Sequence, residues 1–143
     1  MNRLPILKAL SLATSLSYTG VASAEQLTLA IAGVNSNEGK IYIQVFKGEK
    51  SYRADKPIAA TIIPALVGDV TVHFNGLEHG EYIVRYFHDE DDDGELAKNL
   101  MGMPTEGYGF SNGAKPRFGP VKYEAAKFEL NESVTTNHST IIY

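Results

Sequence analysis

The residues with the most chemistry to offer lie between His88 and Asn112. Asp89-Glu90-Asp91-Asp92-Asp93-Gly94-Glu95-Leu96 contains the pattern D-x-D-x-D-G. Alternate carboxylates on a curling backbone point into one small volume, and a hard cation relieves their mutual repulsion. Glycine at the sixth place permits the sharp turn, and the seventh residue offers its carbonyl. The pattern therefore predicts calcium ligands at Asp89, Asp91, Asp93 and the carbonyl of Glu95. In a helix-flanked calcium loop the twelfth place holds a bidentate Glu, but here it is Leu100, and no flanking helices are predicted. The last ligand must come from elsewhere, and Asn99 or Glu106 could supply it. An affinity of about 0.1–1 mM would be typical of an extracellular calcium module. The plainer reading is a solvated acidic turn that keeps one end of the fold soluble.

A glycine- and aromatic-rich tail follows, from Gly102 to Pro120. Glu106, Tyr108, Phe110, Arg117 and Phe118 form a candidate ligand or interaction surface. One reading is a shallow groove between the acidic turn and the tail, with Tyr108, Phe110 and Phe118 as stacking faces for a glycan. The other is that these aromatics pin a long loop onto the body of the fold, since large apolar rings need somewhere dry. A hydrolytic site would use Glu106 with one acid of the turn, assisted by His88. The four histidines, His73, His79, His88 and His138, show no metal-binding spacing. No G-x-S-x-G, serine–lysine pair or phosphate-binding glycine loop is present, so nothing points to an organic cofactor.

These residues must be held by strands. Leu27, Leu29 and Ile31 alternate with Thr28 and Ala30, and Ile41, Ile43 and Val45 alternate with Tyr42, Gln44 and Phe46. Such period-two patterns predict strands. With turn residues Asn35 to Gly39 between them, they read as a hairpin over Gln26 to Lys47. Gly48 to Pro57 reads as a loop. Ile58 to Val67 reads as a strand confined by Pro64 to an edge or a bend. Further strands are expected around Val70–Phe74, Tyr82–Phe87, Phe128–Leu130 and Val134–Tyr143, with no strand between Asp89 and about Lys122. The expectation is an all-β fold: a single antiparallel β-sandwich, Ig-like or transthyretin-like, of about seven strands with one long loop.

Residues 1–24 have a basic start, an uncharged apolar run and the small-x-small triplet Ala22-Ser23-Ala24, the order of a secretory signal peptide. Its removal would leave one domain, residues 25–143, with no transmembrane span, in the periplasm or secreted. It would take Arg3 and Lys8 and no acid, moving the formal charge from −4 to −6. An acidic chain with no basic run is a poor partner for nucleic acid. There is no cysteine and no tryptophan, so disulfides, thiol chemistry and tryptophan-built sugar platforms are excluded.

Gly80-Glu81-Tyr82 through His88-Asp89, the glycine-containing acidic turn, Pro104-x-Glu106-Gly107-Tyr108-Gly109-Phe110-Ser111-Asn112 and Arg117-Phe118-Gly119-Pro120 together resemble a bacterial family named domain of unknown function 2141. The resemblance covers most of residues 25–143. It implies a small exported β protein and no assigned activity. It also implies an acid shortly after the leucine of the turn, where this chain has Ala97, so one candidate calcium ligand is missing. The expectation for function is an exported, non-enzymatic binding module with an unknown protein or glycan partner and a calcium-ordered loop. The alternatives are a carbohydrate-binding module and a carboxylate-dependent hydrolase.

Overall fold

The computed structural model describes residues 24–143, so the signal peptide expected over residues 1–24 lies, but for Ala24, outside the described residues. The fold is mostly β. In chain order it contains β1 (Glu25–Val34), β2 (Lys40–Lys47), α1 (Gly48–Arg53), β3 (Ala59–Pro64), β4 (Gly68–Leu77) and β5 (Gly80–Asp89). After the long loop come β6 (Tyr108–Phe110), a 3-10 turn (Ser111–Gly113), α2 (Tyr123–Ala126), β7 (Phe128–Leu130) and β8 (Val134–Thr140). The strands form two sheets, one ordered β4–β1–β8 and the other β3–β2–β5–β6, with β7 also pairing with β5. No helix among the described residues is long and apolar enough to cross a membrane.

The core lies where the alternation placed it. Leu27, Leu29 and Ile31 of the first sheet and Ile41, Ile43, Val45 and Val84 of the second belong to one buried cluster. A second cluster covers the other face of the larger sheet, where Phe46 and Ile83 meet Val121, Tyr123 and Ala126. This second layer explains why Tyr82, Ile83 and Val84 are buried without a break, which alternation alone does not predict.

Several expectations are corrected. β1 and β2 do not form a hairpin: β1 pairs with β4 and β8, and β2 with β3 and β5. Each strand buries one apolar face in the same core from its own sheet, so the turn after Val34 carries the chain from one sheet to the other. The strands are not all antiparallel, because β8 runs parallel to β1 from Gln26↔Val134 to Ala32↔Thr140. β8 reaches this sheet directly from β7 in the other sheet, so no hairpin dictates its direction. There are eight strands among the described residues, β6 being the one added inside the supposedly strandless stretch. Gly48–Arg53 is a short helix, with Arg53 Nε donating to Glu49 Oε1 at 2.9 Å. β3 ends its sheet, with Pro64 as its last residue, as the proline requires.

One pairing decides where the candidate site lies. β5 ends at Asp89, and β6 runs back beside it with Phe87 opposite Tyr108. The His88 N–H donates to the Gly107 carbonyl at 2.7 Å. The two ends of the long loop are thereby clamped side by side.

Candidate functional site

Asp89 is the last residue of β5 and is fully buried. Its neighbour across the sheet is the start of β2, where Lys40 pairs with Asp89. A Cβ on the preceding residue, Gly39, would sit 1.8 Å from the Asp89 carbonyl oxygen, and Gly39 also has φ +66. Only glycine allows the two backbones to come this close. The turn then closes on its own carboxylates. Asp89 Oδ1 accepts from the Asp93 N–H at 3.1 Å and Oδ2 from the Gly94 N–H at 2.9 Å. Asp91 Oδ1 also accepts from the Asp93 N–H, at 3.2 Å, and Asp93 Oδ1 accepts from the Glu95 N–H at 2.8 Å. Gly94, at the sixth place where a sharp turn is expected, takes φ +83, a left-handed conformation that suits glycine.

Glu106 reaches this turn from the opposite end of the loop. It is buried, and its two oxygens bridge the loop: Oε1 accepts from the Glu90 N–H and Oε2 from the Ala97 N–H, each at 2.9 Å. A buried carboxylate is tolerable when each oxygen has a donor, and hydrogen bonds to a charged acceptor contribute about 1.5–3 kcal/mol each. Glu106 is therefore a staple across the loop.

The result is a convergence of three carboxylates. One oxygen each from Asp89, Asp91 and Glu106 lies within 4.8 Å of the others. Asp91 is the exposed member, open to solvent on one side. Its carboxyl is pushed above its ordinary value, first by desolvation and then by the negative charges of Asp93, Glu106 and Asp89. Of the residues expected to bind calcium, the fold thus brings together Asp89, Asp91 and Glu106. Asp93 turns its Oδ1 to the Glu95 N–H, and the side chain of Glu95 is exposed. Asn99 is at the loop's tip, where its Oδ1 accepts from the N–H groups of Met101 at 2.9 Å and Met103 at 3.0 Å. Asp92 pairs with Lys40 at 2.6 Å on the surface.

The aromatic tail divides in two. Tyr108 and Phe110 lie half-buried on β6, their rings edge to face at 6.4 Å. Together with Leu96 at the end of the acidic turn, and with Gln44, Arg85 and Phe87, they line a cleft of about 220 Å³. The cleft meets the acidic turn only at Leu96, and none of the turn's carboxylates lines it. Phe118 and Arg117 take no part in it. Phe118 has φ +50 and is fully exposed, so it does not pin the loop.

His88 does not join the carboxylates. It is fully buried, its Nε2–H donates to the Glu38 carbonyl at 2.7 Å, and its Nδ1 lies 2.8 Å from the Tyr143 hydroxyl. That hydroxyl in turn accepts the Asn35 N–H at 3.2 Å. His88 thus ties the crossing between the sheets to Tyr143. Sequence reasoning missed this anchor and the staple role of Glu106. The one available signal was a glutamate set among glycines and aromatics, where a charge needs a reason to be.

The chain belongs to a family described as an uncharacterized protein conserved in bacteria (DUF2141), whose model matches residues 29–138. Neither a curated protein nor a solved structure matches it.

Proposed function

We propose that this member of an uncharacterized bacterial family is an exported, non-enzymatic binding module whose long loop carries a calcium site. The observation that carries this reading is the meeting of Asp89, Asp91 and Glu106, drawn from both ends of the loop, with oxygens within 4.8 Å of one another. Hard oxygen donors with a net charge of −3 suit a divalent cation such as calcium, and solvent can complete the coordination on the open side at Asp91. The Glu95 carbonyl remains a further candidate donor. Support for a non-enzymatic role comes from the partners these groups already have. Every oxygen of Asp89 and Glu106 accepts a backbone N–H, and both ring nitrogens of His88 face polar partners. The core shared between the two sheets supports an Ig-like or transthyretin-like sandwich as the scaffold. Export to the periplasm or beyond rests on the signal-peptide pattern of residues 1–24.

Thermal melting in calcium against chelator tests the site. With a dissociation constant of about 0.5 mM, 5 mM calcium stabilises the folded state by about 1.4 kcal/mol. That corresponds to a rise of about 5 °C in Tm. An unchanged midpoint at millimolar calcium refutes the site.

A second reading rests on the cleft. Tyr108 and Phe110 stand beside Gln44 and Arg85, an apolar wall next to hydrogen-bonding groups, which suits a small glycan. Glycan-array binding that disappears in Tyr108→Ala supports it, and an array without signal removes it.

A further inference from the structure

We infer that β3 is the seam of a dimer, in which two copies of this chain pair antiparallel, edge to edge, through Ala59–Pro64. β3 ends the larger sheet, so one side of its backbone ladder has no strand neighbour among the described residues. The opposite edge of that sheet is closed at β6, where Tyr108 and Ile142 exchange N–H···O bonds of 2.9 and 2.8 Å. The edges of the smaller sheet present polar side chains outward, Asp69, Thr71 and His73 on β4 and Thr136, His138 and Thr140 on β8.

β3 has none of this protection. From Pro57 to Gly68 no residue is charged. Ile58, Ile62, Leu66 and Val67 are 49–61% exposed, four of the ten large apolar side chains exposed among the described residues. Edge strands are normally guarded by charge, proline or a bulge, and here only the terminal Pro64 serves. An uncharged, apolar edge is a template for strand addition.

The occupant that fits is a second copy. The chain is acidic overall, at −4, so two copies repel except where charge is absent, and this stretch meets itself without charge repulsion. A two-fold axis at Ile62 sets the two Ile62 side chains against each other and brings Ile58 of each copy toward Leu66 of the other, just beyond the strand ends. It also continues a row already present on the outer face. Ile62, Tyr42, Phe87 and Tyr108 are successive partners across four strands, with Tyr42 and Phe87 stacked at 4.9 Å. The four exposed side chains offer about 400 Å² per copy, so a pair with its backbone buries about 1,000 Å², the lower limit for a specific interface. The dimer is therefore concentration-dependent, with a dissociation constant on the order of micromolar.

Sedimentation velocity of the purified protein from about 1 μM to 1 mM tests this, with hydrogen exchange of the β3 amides over the same range. The expected result is a shift from one chain to two, with the β3 amides gaining protection as concentration rises. Ile62→Lys sets two ammonium groups face to face and Leu66→Glu adds charge at the flank, and each weakens association at least about tenfold. Val134→Lys, at an exposed apolar residue on β8, leaves it unchanged. A wild-type protein that stays monomeric throughout overturns the inference. So does a dimer whose β3 amides gain no protection, which also decides the matter if a variant fails to fold.

Discussion

Replacing Glu106 by glutamine tests whether the loop is held by a buried carboxylate. The side chain is 6% exposed and each oxygen accepts one backbone N–H, from Glu90 and from Ala97, both at 2.9 Å. Glutamine keeps the shape and one acceptor. Its NH₂ group then faces the second N–H donor, so one bond is lost and two donors meet in a dry site. The lost bond and the unpaired donor together cost about 2–3 kcal/mol, and the relief of repulsion on Asp91 offsets little of this because Asp91 is solvated. For a domain of this size that lowers Tm by about 8–12 °C. Urea unfolding in chelator, so that no ion contributes, measures it, with the slope m unchanged. The amides of Glu90 and Ala97, which the staple holds, should also exchange about 30–100-fold faster. A loss below about 0.5 kcal/mol with both amides still protected would refute the staple.

Asp91→Asn retains the oxygen that accepts the Asp93 N–H but removes a repelling charge, so it should stabilise the calcium-free protein at neutral pH while abolishing the calcium-induced rise in Tm. The sign follows from its raised folded-state pKa. The stability of the neutral form is fully present below the ordinary value of 3.8 and is lost as pH rises through the folded value, so in chelator the advantage of Asp91→Asn over wild type should shrink on acidification. Melts from neutral pH downward check this. Asn99→Ala removes the acceptor of two N–H groups at the loop's tip, and the Met103 amide should exchange faster, with a loss of about 1 kcal/mol at most in global stability. Gly39→Ala drives a Cβ into the Asp89 carbonyl at a positive φ, so chemical denaturation should show a loss of about 2–4 kcal/mol.

The parts legible in the sequence were those that depend on near neighbours. Leu27, Leu29 and Ile31 declare a buried strand face by alternation, and Gly94 declares its turn by its place after the aspartates. Partner choice depends on distant residues and was not legible. Asn35 to Gly39 has turn chemistry whether the chain folds back on itself or crosses to a second sheet, and the structure has the crossing. β6 was hidden because Tyr108-Gly109-Phe110 offers only one period of alternation. The same pairing conceals the site, since Glu106 meets Asp91 only because Phe87 is registered on Tyr108. Phe118 misled for a different reason. Burial is the rule for a large ring in a loop, but the backbone of the Pro116–Pro120 turn directs this one outward.

The two buried carboxylates also constrain how an ion would act. Asp89 and Glu106 are satisfied by backbone N–H groups without any cation, so their positions are set by the fold. The third, Asp91, is exposed, and its carboxyl is raised first by desolvation and then by the negative charges of Asp93, Glu106 and Asp89. An ion seated here relieves charge at a site already formed, which is different from ordering a loop that was unfolded. Calcium should therefore raise Tm by about 5 °C while leaving the far-UV circular dichroism and the urea slope m nearly unchanged, because little new surface is buried. Slowed exchange should be confined to the amides around Asp91 to Gly94. A large gain in ordered structure on adding calcium would show instead that the staples of Asp89 and Glu106 do not hold the loop by themselves.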